Sequence, residues 1–266
     1  MAKSSFEYVK LFERSDVLLP QCWPVVRIDG RGFHRFSDVH GFRKPNDDRS
    51  LGLMNKAATS VMKDFKDVVI AYGQSDEYSF VLDKKTNLYN RRESKILSNM
   101  VSLFTSCFTF HWSEFFPTTP LKYAPSFDGR VILYPSKEVL RDYLSWRQAD
   151  CHINNLYNTV FWALVQEGGL TPNEAQVKLK GTNAGGKNEI LFSQFGVNYN
   201  NLSQLYRKGT VLMKALGSNL CAAGDGDKPS DTILSLNEDI IRDDFWKAHP
   251  EILRDEGENL AKKNQQ

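Results

Sequence analysis

The stretch Val68-Val69-Ile70-Ala71-Tyr72-Gly73-Gln74-Ser75-Asp76-Glu77-Tyr78-Ser79-Phe80-Val81-Leu82 decides the fold. Two short runs rich in β-branched and aromatic residues enclose a five-residue polar turn, which is the pattern of a β-hairpin. Upstream, residues 24–29 read as a strand. Pro45-Asn46-Asp47-Asp48 then opens a helix, with a capping residue and acids in its first turn, that continues through Leu53, Met54, Ala57, Val61 and Met62. Downstream, residues 90–116 read as a long helix and 127–134 as a further strand. The order β-α-β-β-α-β predicts the α+β class: a ferredoxin-like antiparallel sheet with two helices on one face.

Outside this frame, residues 6–16 read as a helix and 30–45 as a loop. Residues 136–167 read as one long helix or two. A short helix at 171–180 has Thr171 as its cap and Pro172 at its first position, and 202–216 reads as another helix. The expected organisation is a catalytic core over 1–135, a mostly helical region over 136–216 packed on it, and an acidic, partly flexible segment over 217–266. Phe245-Trp246 is the expected docking point of that last segment.

The composition is that of a soluble globular chain, with no apolar run long enough to span a membrane. The four cysteines form no CxxC pair, which argues against a zinc site or a disulfide framework and suits a reducing compartment, cytoplasm or nucleus. Charge is uneven. Residues from Asp225 on carry eleven acids and six bases, and the rest carries twenty-one acids and twenty-eight bases. A moderately basic body permits nucleic-acid binding without requiring it.

In such a sheet the first strand ends at Asp29, and the hairpin turn brings Asp76 and Glu77 to the same edge. Converging carboxylates repel, and a divalent cation relieves the repulsion. Oxygen ligands with open positions select Mg²⁺ or Mn²⁺, and a pair of such ions suits displacement at phosphorus. A solvated turn at Asp76-Glu77 and a simple cap at Asp29 are the competing readings. The Gly30-Arg31-Gly32-Phe33-His34 loop, together with Arg35, Arg43 and Lys44, supplies mobile backbone and positive charge beside the first acid. Arg91, Arg92 and Lys95 open the 90–116 helix, where a cation is unfavourable unless it meets a phosphate.

Gly181-Thr-Asn-Ala-Gly-Gly186-Lys187-Asn188 approaches a phosphate-binding loop. It ends in Asn188 where a hydroxyl is needed, follows a helix, and precedes a β-like run at 189–192, so it is rejected as one. Lys187 keeps a role toward phosphate or RNA. In 151–159, His152, Asn155 and Thr159 share one helical arc. Asn and His read base edges well, and local capping explains the same residues equally.

The motifs around Asp29-Gly30-Arg31-Gly32-Phe33-His34, Gln74-Ser75-Asp76-Glu77-Tyr78, His152-Ile153-Asn154-Asn155-Leu156-Tyr157-Asn158-Thr159 and Lys187-Asn188-Glu189-Ile190, in this order, resemble the tRNA(His) guanylyltransferase family. The resemblance implies a polymerase-palm core and transfer of guanosine to the 5′ end of tRNA(His) in the 3′→5′ direction. ATP first activates the 5′-monophosphate by adenylylation, and GTP then supplies the nucleoside. It implies two Mg²⁺ ions held by Asp29, Asp76 and the Gly30 carbonyl, with Glu77 as a further catalytic residue. Asp29, Gly30, Arg31, Gly32, Phe33, His34, Lys44, Ser75, Asp76, Arg92 and Lys95 would bind nucleotide. His152, Asn155 and Lys187 would meet tRNA, and the enzyme would act as a homotetramer.

Overall fold

The structure, a computed structural model, describes residues 4–215 and 232–253. The first half contains β1 (Trp23–Gly30), α1 (Phe33–Val39), α2 (Asp48–Asp64), β2 (Val68–Gln74) and β3 (Glu77–Leu82). It continues through α3 (Glu93–Phe110), α4 (Trp112–Phe115) and β4 (Phe127–Tyr134). The second half contains α5 (Lys137–Gln166), α6 (Pro172–Leu179), α7 (Ala184–Phe195) and α8 (Gln204–Lys208). It ends with β5 (Thr210–Lys214), β6 (Ile233–Leu236) and α9 (Asp243–Ala248).

The strands form one antiparallel sheet in the order β4-β1-β3-β2-β5-β6. Its first four strands have the expected ferredoxin-like arrangement. The last two extend it at the β2 edge. On one face, α2 presents Leu53, Met54, Ala57, Val61 and Met62, and α3 presents Ile96, Met100, Phe104 and Phe108. These repeats at three- and four-residue spacing give each helix one apolar stripe. The stripes cover Val26, Ile28, Tyr78 and Phe80 to form the main core.

The opposite face, carrying Val25, Ile70, Tyr72 and Val81, is covered by Leu140, Tyr143 and Leu144 of α5 and by Ile240, Phe245 and Trp246 of the last segment. The distal half of α5 leaves the sheet and forms a separate small core with α6 and α7 through Leu156, Val160, Leu164, Leu179 and Leu191. Ser136 caps α5, which is a single helix, by accepting from the Val139 N–H. Thr171 and Glu174 form a reciprocal capping box at α6.

Five expectations are corrected. The 6–16 helix is only a 3₁₀ turn, Glu7–Phe12. The 30–45 loop contains α1, because Phe33 and Phe36 turn inward and stack with centroids 4.9 Å apart. The hairpin turn is tighter than five residues: Gln74 pairs with Glu77, leaving Ser75 and Asp76 between the strands. The β-like 189–192 run is helical, within α7, since the Asn183 side chain accepts from the Gly186 N–H and starts a helix there. No strand precedes that turn, so it is still not a phosphate loop. The 202–216 helix is replaced by α8 and β5. Gly209, at φ +71, ends α8 where a side chain would strike the Gly73 carbonyl. Thr210-Val211-Leu212-Met213 then pairs with β2, because a short apolar run takes the state its neighbours offer. The expected acidic tail falls partly on residues 216–231 and 254–266, outside the described residues. Between them, β6 and α9 are ordered elements of the sheet and its second core.

Candidate active site

β1 carries Asp29 to the sheet edge, where it pairs with Glu77 on β3 and Asp128 on β4. The Gly30 N–H donates to the Asp76 carbonyl at 3.0 Å, locking the hairpin turn against the end of β1. A Cβ on Gly30 would lie 2.5 Å from Phe33 Cδ2 and 2.9 Å from Asp76 Oδ2, so only glycine permits this approach. Ser75 sits at φ 49 in the left-handed region, and its Oγ donates to Asp76 Oδ1 at 2.9 Å.

Among the described residues no ion pair reaches Asp29 or Asp76. Burial and the neighbouring Asp128 carboxylate push the Asp29 carboxyl above the usual range. Burial pushes Asp76 up as well, and the charge of Asp29 adds to it. Two desolvated acids that raise each other's cost of ionisation fit a divalent cation. Among the described residues no cluster of three or more His, Cys, Asp or Glu gathers. A hard cation bound here would have to rest on the two carboxylates, with backbone oxygen, water and phosphate oxygens completing its shell, as Mg²⁺ commonly requires.

Glu77, the further acid at this turn, has a buried cationic partner. It is 8% exposed, and Arg147 Nη1 on α5 donates to both its carboxylate oxygens, at 3.2 and 2.9 Å. Arg27 Nε lies 4.0 Å from it.

The acids open into a cleft of about 640 Å³. Phe33, His34, Lys44, Ser75 and Glu77 also line it, as expected, with Asn155 on the facing wall. Lys44 Nζ donates to Ser37 Oγ at 2.8 Å, pairs with Asp38 Oδ1 at 3.0 Å and lies 5.7 Å from the Trp162 ring centroid. Gly30, Arg31 and Gly32 stand at the cleft's edge in sequence rather than in its lining.

Arg92 and Lys95 do not join this cleft. They line a second depression with Glu13, Arg14 and Asp16. Arg92 bridges to Val17, which precedes β1, while Asp29 lies at the far end of β1 and Asp76 in the turn beside it. An eight-residue strand is ~24 Å long, so one phosphate cannot touch both groups within one chain. Arg91 is buried and donates to the carbonyls of Leu18, at 3.2 Å, and Thr86, at 3.0 Å; its work is structural.

In the half expected to handle tRNA, His152 is open to solvent on one side and on the other packs edge-on to Tyr199 with centroids 5.3 Å apart. Burial and the nearby Arg207 hold its ring below the ordinary pKa. Asn155 does not present a free amide. Its Nδ2 donates to Tyr199 OH at 3.0 Å, and its Oδ1 accepts from Asn46 Nδ2 at 3.0 Å. Lys187 Nζ donates to the Thr182 carbonyl at 2.6 Å.

The sequence reading missed Arg147, Asp150 and Phe161, and took Asn154 and Asn158 only as part of the His152–Thr159 motif without placing them on the cleft wall. One signal was available: positions 150, 154, 158 and 161 share one face of a helix.

A family model described as tRNAHis guanylyltransferase matches residues 6–135, and the Thg1 C terminal domain matches 138–254. The "Probable tRNA(His) guanylyltransferase" of Mus musculus is 56% identical, with 96% of this chain and 90% of the mouse protein covered. The crystal structure of the Saccharomyces cerevisiae tRNA(His) guanylyltransferase superposes with a TM-score of 0.76 at 49% identity, covering 79% of this chain and 93% of that one. A bacterial tRNA(His) guanylyltransferase (Thg1)-like protein in complex with ATP shares the fold, with a TM-score of 0.74 at 23% identity, over 94% of this chain and 99% of that one.

Proposed function

The chain belongs to the tRNA(His) guanylyltransferase family, and from that premise we propose that it activates the 5′-monophosphate of tRNA(His) with ATP and then adds one guanosine nucleotide in the 3′→5′ direction. The observation that carries the chemistry is the Asp29–Asp76 pair, which has no ion pair among the described residues, in the lining of the cleft.

In the first step an oxygen of the tRNA 5′-phosphate attacks the α-phosphorus of ATP, and pyrophosphate leaves. In the second the 3′-hydroxyl of GTP attacks the activated 5′-phosphorus, and AMP leaves. The terminal pyrophosphate is removed afterwards. Both bond-forming steps need an oxygen nucleophile and a stabilised phosphate leaving group, and neither needs a side-chain nucleophile. Two divalent ions held by Asp29, Asp76 and the Gly30 carbonyl would supply Lewis acidity to the nucleophile and the leaving group. Asp29 and Asp76 anchor that charge. Ser75 Oγ holds one oxygen of Asp76 and leaves the other free. Lys44 and His34, in the cleft wall, stand where a triphosphate would extend. That a bacterial protein of this fold is known in complex with ATP agrees with nucleotide binding by the fold.

A homotetramer is part of the proposal. The exposed apolar side chains Phe6, Leu11 and Phe12 support burial in an assembly. On this reading Arg92 and Lys95, which line a separate depression, would serve a phosphate bound by another copy.

The test is tRNA(His) labelled at its 5′-monophosphate and incubated with ATP, GTP and Mg²⁺. A product one nucleotide longer, lost on chelation, is expected. Folded protein that yields no longer product overturns the proposal.

A further inference from the structure

The hairpin turn that carries Asp76 is held from outside the sheet. Its two flanking residues are Gln74, the last of β2, and Glu77, the first of β3. Both are tied to one turn of α5. Arg147 Nη1 donates to both oxygens of Glu77. Arg147 Nη2 lies 3.3 Å from Asp150 Oδ2, which in turn accepts from Gln74 Nε2 at 3.4 Å. The guanidinium is 5% exposed, and its carbon lies 3.7 Å from the Trp146 ring centroid. Between the two tied residues, Ser75 is in the left-handed region, a conformation that costs a non-glycine residue energy and persists where the surroundings enforce it.

We infer that Arg147 is a positioning residue, which clamps both ends of the Ser75-Asp76 turn to α5 and so fixes Asp76 against Asp29. Glu77 is the anion through which the clamp acts, and it does not ligate the metal. Because α5 runs on into the half expected to handle tRNA, the clamp also sets that half's place relative to the acids. The inference rests on the proposed metal role of Asp29 and Asp76.

Its physical basis is the cost of half a buried pair. Removing the guanidinium takes both hydrogen bonds from buried Glu77 and leaves only Arg27 Nε, 4.0 Å away, as a cation, so the strand end must move or take up water to solvate it. A group that orients metal ligands shifts metal affinity or rate by roughly 10–100-fold when lost.

The experiment compares Arg147→Met, Arg147→Lys and Glu77→Gln with the full-length parent chain. Mn²⁺ binding is followed by electron paramagnetic resonance without substrates, and kcat and KM for GTP are measured separately. Circular dichroism confirms folding. Arg147→Met is expected to weaken Mn²⁺ binding and kcat by roughly tenfold with little change in KM. Glu77→Gln should follow in the same direction, and Arg147→Lys should recover part of both. Folded Arg147→Met with Mn²⁺ affinity within about twofold of the parent overturns the inference. So does loss of Mn²⁺ in Glu77→Gln alone, which would put Glu77 on the metal. Should Arg147→Met not fold, Arg147→Lys and Glu77→Gln carry the comparison. The Mn²⁺ titration needs no reaction, so a parent chain that binds the ion but extends no tRNA would fail the proposed function and leave the clamp standing.

Discussion

Asp29 and Glu77 lie directly opposite each other in the β1–β3 ladder, yet their charges have different partners. Glu77 is hydrogen-bonded by Arg147, while Asp29 has no ion pair among the described residues, and burial with the Asp128 charge outweighs Arg27, Arg130 and Arg147. Two carboxylates one ladder step apart thus divide into an anchor and a ligand.

Asp76→Asn should lose turnover while the fold gains stability. Removing a desolvated like charge relieves Asp29, and a gain of about 1 kcal/mol is expected, as for other residues that trade stability for function. Urea unfolding checks it. A clear loss of stability would mean that Asp76 is held by favourable partners.

Gly30→Ala should damage both stability and activity. The added methyl meets Phe33 and Asp76 Oδ2 well inside contact distance, and overpacking of this kind costs about 1–3 kcal/mol. Because one of the struck atoms is a proposed ligand atom, Mn²⁺ affinity should fall too. A variant with parental affinity would show that the turn yields without moving Asp76.

Phe104→Ala tests the core separately from the site. Phe104 is fully buried between the sheet and α3 and touches the Tyr78, Phe80 and Phe127 rings. The cost should be about 3–5 kcal/mol in chemical denaturation. The fraction that stays folded should keep its Mn²⁺ affinity.

His152 predicts a pH dependence. Its folded-state pKa lies below the ordinary value, through burial and then Arg207. The unfolded chain therefore takes up a proton that the folded chain resists. Stability from this group is present above about pH 6.5 and declines as the pH falls from there toward the folded value. His152→Gln should flatten the slope of stability over that window, read from thermal melts at several pH values.

The meeting of Asp29 and Asp76 was legible because strand order and a short turn dictate it, whatever the side chains around them. The palm-like sheet was legible because Val68 to Leu82 holds two β-branched and aromatic runs around a polar turn, which a hairpin satisfies. The partner of Glu77 was not legible, because Arg147 lies seventy positions away on a helix whose packing face no local pattern marks. β5 was misread because Thr210-Val211-Leu212-Met213 takes strand form only by pairing with β2. Arg91 and Arg92 looked alike as charges. Only the bend before α3 turns one inward onto backbone carbonyls and leaves the other outside.

The most direct measurement gives the protein α-labelled ATP and 5′-monophosphorylated tRNA(His) with Mg²⁺ and no GTP. The account predicts transfer of labelled AMP to the RNA 5′ end by the parent chain, and none by folded Asp29→Asn or Asp76→Asn. A parent chain that leaves all the label in ATP, or an Asp76→Asn chain that transfers it at the parental rate, would contradict it.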